Sequence, residues 1–150
     1  MQLIRASTVG MLFCLSIGCT SVTDISHESP YQEMIGQCYV LQQDMLIQET
    51  CWVVGDLVLS IDGTGFCFDG NMGEVPKGTE VTISAIKERV EWSIGRCPQL
   101  ILEIPDIEIP GREVSPPVCS RVNEFSWGKE FLWSRGSEIY LKEEYVKPCE

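Results

Sequence analysis

The sequence predicts an all-β fold, a small barrel or sandwich stapled by disulfides. Three observations carry this. β-Branched and aromatic residues recur in short runs without a sustained helical period. Glycine and proline, 13 and 8 in 150 residues, break those runs too often for long helices. Beyond residue 20 lie six cysteines, Cys38, Cys51, Cys67, Cys97, Cys119 and Cys149. That even number suits bridges formed in an oxidising compartment.

Taken in order, the chain opens MQLIR, with Arg5 as its one early charge. Residues 6–18 are apolar or small and uncharged, too few for the about 20 residues that a membrane-crossing helix needs. A basic start, a short apolar run and small residues at its end are the marks of a removable secretory signal, expected over residues 1–18. Residues 19–30 are polar, end in Pro30 and read as a flexible tether. A single β domain is expected over residues 31–150.

Within that domain, Tyr31, Met34 and Ile35 suit one helical turn closed at Gly36. Strands are expected from Gln37 to Val54 and over LVLSI at residues 57–61, with turns at Gly55-Asp56 and at residues 62–65. The stretch 65–68 returns briefly before Gly70-Asn71-Met72-Gly73. From Thr79 onward Val81, Ile83 and Ala85 share one face, and Ile86, Val90, Trp92 and Ile94 share the other. A strand cannot change faces without a turn or a bulge, so a tight turn is expected near Lys87-Glu88-Arg89, making 79–94 a hairpin. Leu100, Leu102 and Ile104 continue as a strand that Pro105 ends or kinks. A loop is expected from Gly111 to Val118, then two or three short strands broken at Gly128 and Gly136. The total is about eight to ten strands.

Two resemblances attach to these residues. Ser16-Ile17-Gly18-Cys19 resembles the lipobox of bacterial lipoproteins, with Ser16 where Leu is usual and Leu15 one residue further back. In that family the signal is cut before the cysteine, which then carries acyl chains. The resemblance implies lipidation at Cys19, attachment to the membrane through acyl chains at about 0.8 kcal/mol per buried CH2, and, with Thr20 rather than Asp following, the outer membrane. Lys77-Gly78-Thr79 before an alternating strand, followed by a hairpin and a late EIYLKEEYV strand, resembles SH3-like barrel domains, which makes that barrel the favoured architecture.

Cleavage before Cys19 discards Cys14 and Arg5 and leaves 132 residues, with ten cations against 22 anions and a net charge of −12, His27 neutral. So acidic a chain is a poor nucleic-acid binder, because that binding rests on neutralising phosphates with Lys and Arg. It suits solubility, and a basic partner fits it. Six cysteines allow many pairings. The expected set is Cys38 with Cys149, tying the first strand to the last, with Cys51–Cys67 and Cys97–Cys119 closing local loops. No two of the six are close enough for a C-x2-C zinc pair, so no metal or other cofactor is expected.

Catalytic residues are not expected either. A nucleophile–base–orienter set needs a histidine or equivalent base, and the lone His27 lies in the tether. Asp62-Gly63-Thr64-Gly65 reads as a turn, and Asp62 and Asp69 lack a calcium-loop pattern. Glu103, Asp106 and Glu108 alternate with apolar residues as on the solvated side of a strand, although paired carboxylates also serve glycosidases. Trp127, Phe131 and Trp133 share a parity and read as core, with an exposed partner-binding patch as the sharper alternative. The function expected is that of a lipid-anchored, non-catalytic envelope protein facing the periplasm and acting through contacts with another envelope protein. The alternative is an inhibitor or immunity-type protein against a basic envelope-targeting enzyme such as a lysozyme.

Overall fold

A computed structural model of the chain describes residues 20–50, 57–61, 68–91, 95–119, 125–130 and 132–150. The described residues are all-β, with nine strands: β1 (Ser21–Asp24), β2 (Cys38–Leu41), β3 (Met45–Thr50), β4 (Leu57–Ser60), β5 (Phe68–Val75), β6 (Glu80–Glu91), β7 (Gly95–Glu103), β8 (Val114–Ser115) and β9 (Val146–Pro148). They form one mixed sheet in the order β5-β3-β4-β8-β7-β6-β2-β9, with β1 added on β6. Only the β4–β8 pairing is parallel. The end strands β5 and β9 do not pair, so the sheet is not closed into the barrel that was favoured. It nevertheless bends around one core. Ile47 of β3, Val75 of β5, Ile86 of β6, Leu100 of β7 and Val146 of β9 belong to a single buried cluster with Tyr31 and Trp127. Each such side chain contributes about 1.5–3 kcal/mol by leaving water.

β6 departs from the expected hairpin. No turn interrupts it at Lys87-Glu88-Arg89; it runs unbroken from Glu80 to Glu91. The change of face is made by a bulge, where the register against β7 shifts between Ile83 and Ala85. One extra residue moves the buried set from Val81 and Ile83 to Ile86 and Glu88. Ser84 Oγ donates to Ile101 O at 3.2 Å across the bulge.

The segment expected to be a free tether is part of the sheet. Ser21 to Asp24 pair with Val90 to Lys87, and Ile25 is fully buried in the core. Ile25 N donates to Ile86 O at 2.9 Å, and Ser26 Oγ accepts from Ile86 N at 2.9 Å. β6 therefore has β7 along one edge and, on the other, first β2 and then β1. The open β6 edge between them exchanges backbone bonds with Gly36 and Gln37. The helical turn expected at residues 31–36 is a 3-10 turn at Tyr31–Glu33.

The carboxy-terminal region carries less strand than expected. Among the described residues after 119 it holds β9 and one isolated bridge, Gly128 with Leu141. It is pinned by backbone bonds from Trp127 N to Pro117 O and from Lys142 N to Trp127 O. A Cβ on Gly128 would sit 2.8 Å from Val118 O, so this close approach admits only glycine. Among the described residues, two disulfides staple the fold. Cys38–Cys149 ties β2 to the chain end after β9, and Cys97–Cys119 ties β7 to the loop after β8. Cys51 and Cys67 lie outside the described residues. No helix among the described residues is long and apolar enough to cross a membrane.

Candidate interaction groove

After β7 the sequence reads IPDIEIPGR, and its two prolines set the local structure. Ile107 N donates to Ile104 O at 3.2 Å, and Arg112 N donates to Ile109 O at 3.1 Å. Each bond closes a four-residue turn with proline second and a positive φ third, 63° at Asp106 and 72° at Gly111. Proline at that place and Gly or a short polar residue after it is the pattern of a type II turn. Between the turns, Ile107 bridges back to Ile104. The chain then enters β8, which lies between β4 and β7. The expected loop from Gly111 to Val118 thus contains a two-residue strand.

Two turns so close together hold the loop 104–113 as a wall beside β7. The space between is an open groove of about 640 Å3, lined by apolar Ile101, Ile104, Ile107 and Ile109 and by Glu103 and Glu108. Ile101 explains the apolar floor. Its neighbours Leu100 and Leu102 face the main core, so by strand alternation Ile101 faces the other way, yet it is buried.

Charge is divided within the groove. Lys87 Nζ donates to both carboxylate oxygens of Glu113, at 2.7 and 2.6 Å, and Arg112 pairs with Glu49 of β3. These two pairs moor the wall to β6 and β3. Being partly exposed, each contributes at most about 1 kcal/mol. Glu103, Asp106 and Glu108 are exposed and have no ion pair among the described residues. The arrangement offers an apolar floor with unneutralised carboxylates at its rim.

A second charged cluster was not foreseen. Glu88 is 3% exposed on the core-facing side of β6. Arg96 Nη1 donates to its Oε1 at 2.6 Å, and Arg135 Nη1 to its Oε2 at 3.3 Å. Arg135 also forks onto Glu28, with Nε to Oε2 at 2.9 Å. Hydrogen bonding from Arg135 holds the Glu28 carboxyl below its ordinary value, and Glu28 in turn pushes Arg135 up. Next to this cluster, Gly136 N donates to Tyr31 Oη at 2.6 Å. The cluster joins the chain after β1 to β6, β7 and the 135 loop. Its signal in the sequence was the parity of Glu88 with Ile86, which becomes legible only once the bulge is placed.

The residues singled out from sequence fall as follows. Trp127 is 1% exposed and stacked on Tyr145, with ring centroids 6.0 Å apart; it is core and supplies no surface patch. Trp133 is half-buried against the core and packs on Tyr31. Cys19, Phe131 and Asp62 lie outside the described residues. His27 is exposed in the turn after β1. Cys38 and Cys149 come together with Glu80 in a trio of potential ligand atoms, but the two sulfurs are bonded to each other and a disulfide sulfur is not the thiolate that binds metal. Comparison with protein-family models, with curated proteins and with solved structures found no match for this chain.

Proposed function

We propose that this chain is a non-catalytic envelope lipoprotein, acylated at Cys19, held at the outer membrane and facing the periplasm, which binds a basic partner through the groove beside β7. The single observation that supports this most is the groove itself. Its apolar floor on β7 lies beside a wall that two proline turns keep in place; the free carboxylates of Glu103 and Glu108 line it, and Asp106 sits exposed in the first of those turns. Apolar burial supplies affinity, and opposite charge supplies encounter rate and selectivity. The net charge of −12 on the mature chain extends the same preference over the whole surface.

Two experiments test the reading. Cys19→Ser should abolish palmitate labelling and move the protein from the membrane to the soluble fraction; unchanged membrane pelleting would sink the lipoprotein reading. For the groove, a photo-crosslinking amino acid at Ile107 should give a discrete adduct in intact envelopes that one at Met72, exposed on β5, does not give. Equal patterns from the two positions reject the groove as the contact. The alternative partner, a basic lysozyme, is favoured by the same acidity. It predicts that stoichiometric protein inhibits cell-wall hydrolysis, and that Glu103→Gln with Glu108→Gln relieves the inhibition.

A further inference from the structure

We infer that the end of the β6–β7 hairpin is the surface this protein lays against a phospholipid bilayer, and that the acidic groove is thereby held away from the lipid. The inference rests on the acylation of Cys19 proposed above and adds to it an orientation.

The length and direction of the first strand carry it. Only Thr20 stands between Cys19 and Ser21, and two residues of extended chain reach about 7 Å at most. Ser21 is already in the sheet, opposite Val90, and Asp24 is opposite Lys87. Traced backward, the chain therefore leaves the sheet toward Glu91 and Gly95, the end of the hairpin. β1 cannot peel away cheaply to lengthen this link. Ile25 behind it is fully buried, and Ser26 bonds Ile86 through its side chain. The anchor thus has little slack, and among the described residues the end of β6 and β7 at Glu91 and Gly95 is the part nearest the acyl chains.

The groove lies at the other end of the same strands. Arg96 pairs with Val90, and Glu103 pairs with Thr82. Seven residues of β7 separate these two levels at about 3.3 Å each, so the groove rim stands about 23 Å further along. Charge follows the same axis. At the hairpin end Arg89 is paired with Glu91 and Arg96 with Glu88, leaving that end without net charge, whereas Glu103, Asp106 and Glu108 put three negative charges at the far end. An anionic leaflet repels the acidic end more than the neutral one. Exposed Val22, on the strand next to the anchor, adds an apolar side chain at the near end. With this orientation the groove opens to the aqueous compartment, and its partner approaches from there.

The test uses the acylated protein in vesicles of phosphatidylethanolamine and phosphatidylglycerol containing an acceptor-labelled lipid headgroup. A donor dye is placed through an unnatural amino acid at Glu91 in one sample and at Glu108 in another. Energy transfer to the bilayer should be severalfold higher from Glu91; equal transfer, or higher transfer from Glu108, overturns the orientation. A ten-residue Gly-Ser insertion between Thr20 and Ser21 should lower transfer from Glu91, and unchanged transfer would show that chain length does not set the contact. Palmitate incorporation is measured on the same preparations. Label present with equal transfer rejects the orientation alone, whereas no label removes the anchor and the orientation with it.

Discussion

Glu88 and Glu108 are both carboxylates on the β6–β7–β8 side of the sheet, and the fold uses them in opposite ways. Glu88 points toward the core from β6 and is held by Arg96 and Arg135, the latter shared with Glu28. Glu108 stands exposed on the groove wall, and no cation among the described residues neutralises it. A buried carboxylate must be paired, because desolvation of a lone charge costs several kcal/mol. An exposed one need not be, and stays available. Around Glu88, charge joins distant parts of the chain, and near the start of β6 the Cys38–Cys149 bond does so covalently. In the groove, backbone turns shape the wall and leave the charges free. The difference teaches that acidity alone singles out no surface here; the acids left unpaired beside the groove are what the proposed contact rests on.

The comparison can be broken or sharpened by perturbing each region in turn. The largest effect is expected from the covalent tie between β2 and the chain after β9, through Cys38→Ser with Cys149→Ser. This bridge spans 111 residues, and a loop of that size supports stabilisation of about 4 kcal/mol through the unfolded chain. Urea unfolding would measure it, and a loss below about 1 kcal/mol would show that the fold does not depend on the bridge. Next, Arg96→Ala with Arg135→Ala leaves Glu88 buried and unpaired. That should cost about 3 kcal/mol, the low end for breaking a buried pair because both arginines reach solvent. Adding Glu88→Leu should restore much of it, and no rescue would mean that the arginines act elsewhere.

A smaller effect is expected from acid. The Glu28 carboxyl is held below its ordinary value of 4.5, so it binds its proton less readily in the folded state than in the unfolded one. Its contribution is complete above pH 4.5 and is lost as pH falls through the lower, folded value. The stability advantage of the native chain over Arg135→Ala should therefore shrink below pH 4.5, and unfolding curves taken between pH 6 and 3 would show whether it does. The smallest effect on stability belongs to the groove. Glu103→Gln, Asp106→Asn and Glu108→Gln together should change unfolding free energy by less than about 0.5 kcal/mol, while the Ile107 crosslink is lost. A large destabilisation would place these acids with Glu88 as structural charges.

Several elements were legible because their signals are local. Pro105 ended a strand as expected, since a proline cannot donate within a ladder, and β7 stops at Glu103. The alternation over 57–61 and from Thr79 to Ile83 placed β4 and the start of β6. The change of face in β6 was legible too, but not its device. A bulge and a tight turn leave the same mark on side-chain parity, and only the partner strand separates them. The same limit hid β1. Ser-Val-Thr-Asp is short and polar, and all four residues are exposed, so nothing in their hydrophobicity marks a strand. What makes them one is the open edge of β6 beside them.

By itself, the amino-acid sequence determined the all-β class, the acidity, the even cysteine set, and the Pro-x pairs that turn the chain twice between Ile104 and Arg112. These depend on backbone preference and counting, which neighbours in sequence decide. Tertiary structure alone decided that Glu88 is buried and Glu108 free, that residues 21–24 join the sheet, and that the sheet stays open around one core. Each of those depends on which distant segment lies alongside, Arg135 against Glu28 or β1 against β6. Such pairings are set by the free energy of the whole packed chain rather than by any short stretch of it.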